Sequence, residues 1–284
     1  MPQPTIEILI CTIDNRIDAA LRVPIDPLPN VRYLISWQQT NLVALNQQGR
    51  ILPEREDVRI HSWNGCGLSA NRNEALAQAS GDFLLIADDD EILQAYQLEG
   101  LATILTDHPQ STDIFLLRMQ RPDGSFPKPY PSTPFRYPHC PHGYYPSSWE
   151  ILIRRSSLPR LPRFDVRFGL GSERLACGEE EVFIHQAFTS GAQITFIPHT
   201  IVSIPSSTTG DLFLQSVAVR RSKGAVLTLI HGTLGAFLRC LNFARLVHRQ
   251  HPEYTWRNCY NYRDCKAQYE ARMPKKHKKY KINY

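Results

Sequence analysis

The most constraining stretch of this chain is Phe83-Leu84-Leu85-Ile86-Ala87, followed at once by Asp88-Asp89-Asp90-Glu91. A short continuous apolar run bounded by turn residues is the pattern of a strand buried on both faces. Four adjacent acids at its end repel one another unless a cation or strong donors compensate. In an open α/β sheet, ligands bind outside the carboxyl ends of the strands. Alternate positions of an extended segment point the same way, so Asp88 and Asp90 are expected to share one face. Hard oxygen ligands of this kind suit Mg²⁺ or Mn²⁺, which usually also grip substrate phosphates. The competing reading is a solvated acidic turn that caps the next helix.

The surrounding pattern alternates. Ile6–Cys11, Val31–Ser36 and Val58–His61 read as strands, and Ser69 is expected to cap a helix running to about Ala79. A second helix is expected over about Ala95–Thr106, then strands at Asp113–Met119 and Trp149–Ile153. Glu179–Ser190 reads as a helix and Gln193–Ile197 as the last clear strand. Strands alternating with helices predict an α/β fold with a doubly wound, mostly parallel sheet flanked by helices. Beyond Gly210 the sequence turns helical and basic, with amphipathic stretches at Leu212–Val219, Gly224–Leu238 and Asn242–His248. The expected division is a catalytic domain over 1–210 (halves about 1–120 and 121–210) and a C-terminal helical extension over 211–284.

Eight of the 21 prolines lie between Pro122 and Pro146, which forbids long helices and central strands there. The segment reads as a long loop, either a surface crossover or the wall of a pocket with aromatic faces for a sugar ring. The seven cysteines are scattered, with no C-x-x-C pair, so a disulfide framework and a zinc site are not expected and a reducing cytoplasm is. No signal peptide is evident, and no uninterrupted apolar run is long enough to predict a spanning helix. A net charge of +5 is compatible with anionic partners without selecting one.

Two further groups stand out. Arg72, in the first turn of the helix that starts near Ser69, could reach a phosphate oxygen. Cys177-Gly178-Glu179-Glu180-Glu181 packs three carboxylates at a helix start, as a favourable macrodipole interaction or as a general base.

Taken in order, these motifs resemble the inverting family 2 glycosyltransferases of the GT-A fold, bacterial type. The resemblance rests on Cys11-Thr12-Ile13-Asp14-Asn15-Arg16 after the first strand, Ser69-Ala70-Asn71-Arg72-Asn73, the D-x-D group at Asp88–Asp90, Phe164–Gly171, and Gly178-Glu179-Glu180. It covers about residues 5–205. It implies that Thr12, Asp14, Arg16, Arg72, Asp88 and Asp89 lie near a nucleotide-sugar, and that Asp90 and Asp88 hold a Mn²⁺ or Mg²⁺ ion. Glu180 falls at the position of the family's catalytic acid, with Glu179 or Glu181 as alternatives. Its neighbours are expected to raise the proton affinity of Glu180.

Two departures matter. Where many members carry an aspartate that reads the base, this chain has Ser36-Trp37-Gln38-Gln39, so Gln38 or backbone groups take that place. Where many supply a metal-binding histidine, it has Ser203, with His199 four residues earlier as a candidate ligand.

The implied activity is metal-dependent transfer of a sugar from a nucleotide-sugar, UDP-linked by expectation, to a hydroxyl of a glycan or lipid-linked acceptor, in surface polysaccharide synthesis. No nucleic-acid partner is expected. The implied location is cytoplasmic, with peripheral membrane contact through the lysine-rich segment Pro274–Tyr284. The alternative is a catalytically degenerate protein of the same fold that only binds nucleotide-sugar or glycan. An aspartyl-phosphate phosphatase is disfavoured, because no D-x-D follows the first strand.

Overall fold

A computed structural model describes residues 3–40, 54–107, 111–141, 144–173, 175–204 and 216–250. The chain divides into two compact units, Met1–Val166 with Glu179–Ser207, and Arg167–Gly178 with Thr208–Tyr284. Arg167–Gly178 thus groups with the C-terminal unit, apart from the sheet on either side of it.

The first unit is built on β1 (Ile6–Ile13), β2 (Val31–Gln39), β3 (Val58–Asn64), β4 (Phe83–Asp88), β5 (Ile114–Gln120), β6 (Phe135–Arg136), β7 (Ile151–Arg154) and β8 (Ile194–Ser203). Its helices are α1 (Ile17–Ala20), α2 (Leu68–Gln78), α3 (Ala95–Asp107) and α4 (Glu179–Thr189). The strands form one sheet in the order β3-β2-β1-β4-β7-β5-β8-β6. The β3-β2-β1-β4 half is parallel throughout, and so is the β5-β8 pair. β7 runs antiparallel between β4 and β5, and β6 is an antiparallel edge piece.

The doubly wound expectation holds, and the side chains show why. Ile8, Ile10, Leu85 and Phe115 join one core layer with Leu98 and Leu101 of α3. Leu9, Leu34, Leu84 and Ile86 point the other way, onto Ala75 of α2 and Phe183 of α4. Strand alternation sends neighbours to opposite faces, so a strand apolar at every position must be covered on both. Each such side chain contributes about 1.5–3 kcal/mol on burial.

Several local expectations are corrected. Helix α2 is entered through Gly67, at φ 96°, and Ser69 lies inside the helix rather than capping it. Only glycine adopts that backbone angle cheaply. Trp149 sits in a one-turn 3₁₀ segment, Ser148–Glu150, ahead of β7. β8 runs on to Ser203, six residues past the expected end at Ile197.

In the second unit, Phe168 and Leu175 form an isolated bridge, with Gly169 N–H donating to the Leu175 carbonyl at 2.8 Å. The three expected C-terminal helices are one element, α5 (Val217–Gln250), broken at Gly232 (φ 66°, ψ 179°). By length and composition alone this helix is long and apolar enough to cross a membrane, contrary to the expectation from uninterrupted runs. The expected amphipathic stretch beginning at Leu212 starts outside the described residues, and the lysine-rich segment from Pro274 lies wholly outside them.

Candidate active site

The carboxyl ends of β1, β2 and β4 meet at one edge, and the acidic cluster lies there. β4 ends at Asp88, so strand alternation does not continue through Asp90. Asp88 points to the α2 and α4 side, as Leu84 and Ile86 do. Its Oδ1 accepts from Arg72 Nη2 at 3.0 Å and its Oδ2 from Trp149 Nε1 at 2.6 Å. Asp89 turns back under β1, where it accepts from Thr12 Oγ1 at 2.7 Å and is gripped by both Arg16 Nε, at 2.8 Å, and Nη2. Asp90 is half exposed, 3.9 Å from Arg16 Nη2. The shared face expected for Asp88 and Asp90 is therefore replaced by three acids with three different surroundings.

Their proton affinities follow. Partial burial, then the charges of Asp88 and Asp89, raise Asp90 above the usual carboxylate range, with Arg16 opposing. Burial pushes Glu91 well up, and the charge of Asp88 adds to it. One Glu91 oxygen accepts from the Asp88 N–H at 2.6 Å, and the other is buried without a hydrogen-bond partner.

Arg72 is the centre of the arrangement. It is 1% exposed, and its guanidinium lies 5.6 Å from the Phe164 ring centroid. Nη2 meets Asp88, while Nη1 meets Glu179 Oε1 at 2.9 Å and Glu180 Oε1 at 3.6 Å. Burial works against its charge, but Asp88, Glu179 and Glu180 outweigh it and push its proton affinity up. Arg72, expected near a phosphate, is engaged by carboxylates in this structure, because α2 turns residues 71 and 72 inward.

Glu179 is buried, with one oxygen on Arg72 and the other unpartnered. Burial and the charge of Glu180 raise it to about 8, against the pull of Arg72. The carboxylate of this helix start that its surroundings drive up is Glu179. Glu180, with 18% of its side chain exposed, is the more accessible carboxylate of the pair.

Three other sequence candidates have partners within the fold. Asp14 (φ 43°) accepts from the Thr40 N–H at 2.8 Å and from its hydroxyl at 2.6 Å, pinning the end of β2. Gln38 is buried and donates to the Gly65 carbonyl at 2.9 Å, which secures the β3–α2 turn. His199 Nε2 is bonded to the Gln97 carbonyl at 2.7 Å and packs beside Gly100 on α3, away from the acids. Ser203 instead pairs with Ile92, just past the acidic turn.

Two residues that the sequence reading passed over belong to the site's frame. Trp149 holds Asp88. Next to it, Glu150 is fully buried and lies 2.8 Å from Lys128 Nζ, also taking hydrogen bonds from the Tyr130 and Tyr144 hydroxyls. Desolvation lowers the proton affinity of Lys128, opposed by Glu150, Glu181 and Glu180. Tyr130, Phe135 and Tyr144 of the proline-rich segment pack on Phe196 of β8, so these rings serve as core rather than as a free sugar platform. The only sequence signal was a Trp-Glu pair opening the strand expected over Trp149–Ile153.

Among the described residues, no three His, Cys, Asp or Glu side chains converge to hold an ion by themselves. The donor set is nevertheless hard oxygen only, with Asp90 half exposed and raised by partial burial and then by the charges of Asp88 and Asp89, a state that a cation would relieve. One or two carboxylates completed by water and phosphate oxygens is the usual way Mg²⁺ is held, and the residues present fit that mode.

A mostly parallel sheet thus carries acids at its switch edge, tied through Arg72 to the carboxylates that open α4. Residues 39–168, a little under half of the chain, match the family described as glycosyl transferase family 2. The match ends before Glu179. Among solved structures, the chain is similar to a crystal structure of S. aureus TarS 1-349, with 17% identity and TM-score 0.49 over 86% of this chain and 74% of that one. Similar too is a crystal structure of S. aureus TarS, at 15% identity and TM-score 0.48, covering 86% of this chain and 43% of that one. The same TarS 1-349 in complex with UDP aligns at 16% identity and TM-score 0.48, over 86% and 71% of the two chains. No curated protein matches the sequence.

Proposed function

We propose that the protein transfers a sugar from a nucleotide-sugar, UDP-linked by preference, to a hydroxyl of a glycan or lipid-linked acceptor, with inversion and with help from Mg²⁺ or Mn²⁺. The observation that carries this is Arg72, which ties the Asp88 carboxylate at the end of β4 to Glu179 and Glu180 at the start of α4. It holds a leaving-group site and a proton acceptor in one frame.

In this reading Glu180 takes the proton of the acceptor hydroxyl. The freed oxygen forms a bond to the anomeric carbon as the bond to the diphosphate oxygen breaks, and one displacement inverts the centre. A divalent cation held by Asp90, with Asp88, would neutralise charge on the departing diphosphate. Arg16, half exposed beside Asp90, faces the same phosphates in this reading. Glu179 stays buried and sets the charge of the group around Arg72.

Turnover and thermal stability with a panel of nucleotide-sugars, with and without Mn²⁺, test the proposal, because a ligand that binds only the native state stabilises it. Metal-dependent stabilisation by one donor, with turnover lost about 10²–10⁴-fold in a folded Glu180→Gln variant, is expected. Stabilisation without turnover for any acceptor would favour the binding-only reading. Full turnover in Glu180→Gln would remove the base from Glu180.

A further inference from the structure

Helix α5 shows water a face that a soluble helix ordinarily buries. Beyond the break at Gly232, Leu234, Leu238 and Leu241 are 71%, 57% and 41% exposed. Their spacing puts them on one stripe, with Phe237 beside them. Ala236, Cys240, Ala244 and Val247 are buried on the inward face, so that side is already covered. Continuing the same stripe, Arg245 and Arg249 are exposed, and Arg239 is exposed nearby. From Val217 to Gln250 there is no Asp or Glu, while Arg220, Arg221 and Lys223 add positive charge to the first half.

We propose that the Leu234–Leu238–Leu241 stripe, ended by Arg245 and Arg249, docks the protein on the surface of an anionic bilayer, with this half of α5 lying in the interface plane. The leucines enter the acyl boundary while the arginines reach lipid phosphates, which is the chemistry of an interfacial amphipathic helix. Charge decides among the possible occupants. A second copy would set one acid-free basic helix against another with no opposing charge on either. A spanning stretch of about 20 residues would put Arg239 and the backbone break at Gly232 within the hydrocarbon, where a charge and freed backbone groups are costly. This surface is independent of the proposed reaction.

Flotation of the full chain with phosphatidylcholine vesicles, with and without phosphatidylglycerol, tests it. The wild type is expected to float only with the anionic vesicles, less so at high salt. Leu234→Gln/Leu238→Gln/Leu241→Gln should lower the bound fraction about tenfold or more at unchanged thermal stability. Arg245→Gln/Arg249→Gln should weaken binding and flatten its salt dependence. A triple variant that floats like the wild type would overturn the proposal. So would loss of binding confined to a chain lacking Pro274–Tyr284, resistance to alkaline carbonate extraction, or a wild type that forms a leucine-dependent dimer and ignores lipid.

Discussion

Arg72 and Glu179 lie 107 residues apart in the chain and 2.9 Å apart in space. Arg72 faces inward from α2 and Glu179 opens α4, so their pairing locks two helices over one face of the sheet. Asp88 and Glu180 share the same guanidinium. Removing the cation would leave buried carboxylates uncompensated. Arg72→Ala is therefore expected to cost on the order of 3–5 kcal/mol in urea unfolding, at the lower end if Glu179 takes up a proton. Arg72→Lys should also lose transfer, since one ammonium cannot reproduce the fork. A stable, fully active Arg72→Lys variant would show that the fork is dispensable.

The raised Glu179 has a signed consequence for pH. Its proton affinity moves from an ordinary 4.5 to about 8 on folding, so the folded state keeps a proton that the unfolded state has released. The stabilisation is complete below about 4.5 and is lost as pH rises through about 8. Across that window the slope approaches about 1.4 kcal/mol per pH unit. Unfolding of wild type and Glu179→Gln at several pH values should show the wild type losing stability relative to the variant as pH rises. Parallel curves would place the titration elsewhere.

Trp149 gives Asp88 its second hydrogen bond, at 2.6 Å. Trp149→Phe keeps an aromatic ring and deletes only the donor. A hydrogen bond to a charged acceptor is worth about 1.5–3 kcal/mol, so a stability loss of that order is expected. If Asp88 must be held for the donor diphosphate, kcat/KM should fall about tenfold as well. Loss of stability with unchanged kinetics would confine Trp149 to the scaffold.

Lys128 and Glu150 form an ion pair with neither side chain open to water. Lys128→Met leaves Glu150 buried with only neutral donors, the Tyr130 and Tyr144 hydroxyls and the Ser147 N–H, and should cost about 3–5 kcal/mol. Lys128→Met with Glu150→Gln should recover much of that loss, since no buried charge is then left without its partner. A double-mutant cycle read by denaturant unfolding measures the coupling, and additive losses would mean that the two charges act separately.

Much of this was legible in the chain itself. Runs such as Ile6–Ile10 and Phe83–Ala87 are apolar at nearly every position, which only a strand covered on both faces satisfies, so the layered sheet followed from local pattern. The acids after β4 marked the site for the same reason, since strand ends are where such sheets open. What the sequence left undecided were the partners. Which oxygen meets Arg72, why Glu179 is driven up, and why Gln38 and His199 face inward all depend on contacts between segments far apart in the chain. Burial and charge proximity are set in three dimensions, and one residue's rotation about a helix axis decides whether an arginine meets phosphate or carboxylate. The same holds for α5. Its basic, acid-free composition is written in the sequence, but only the packed inward face of Ala236, Cys240, Ala244 and Val247 shows that the leucines on its other side are left to water.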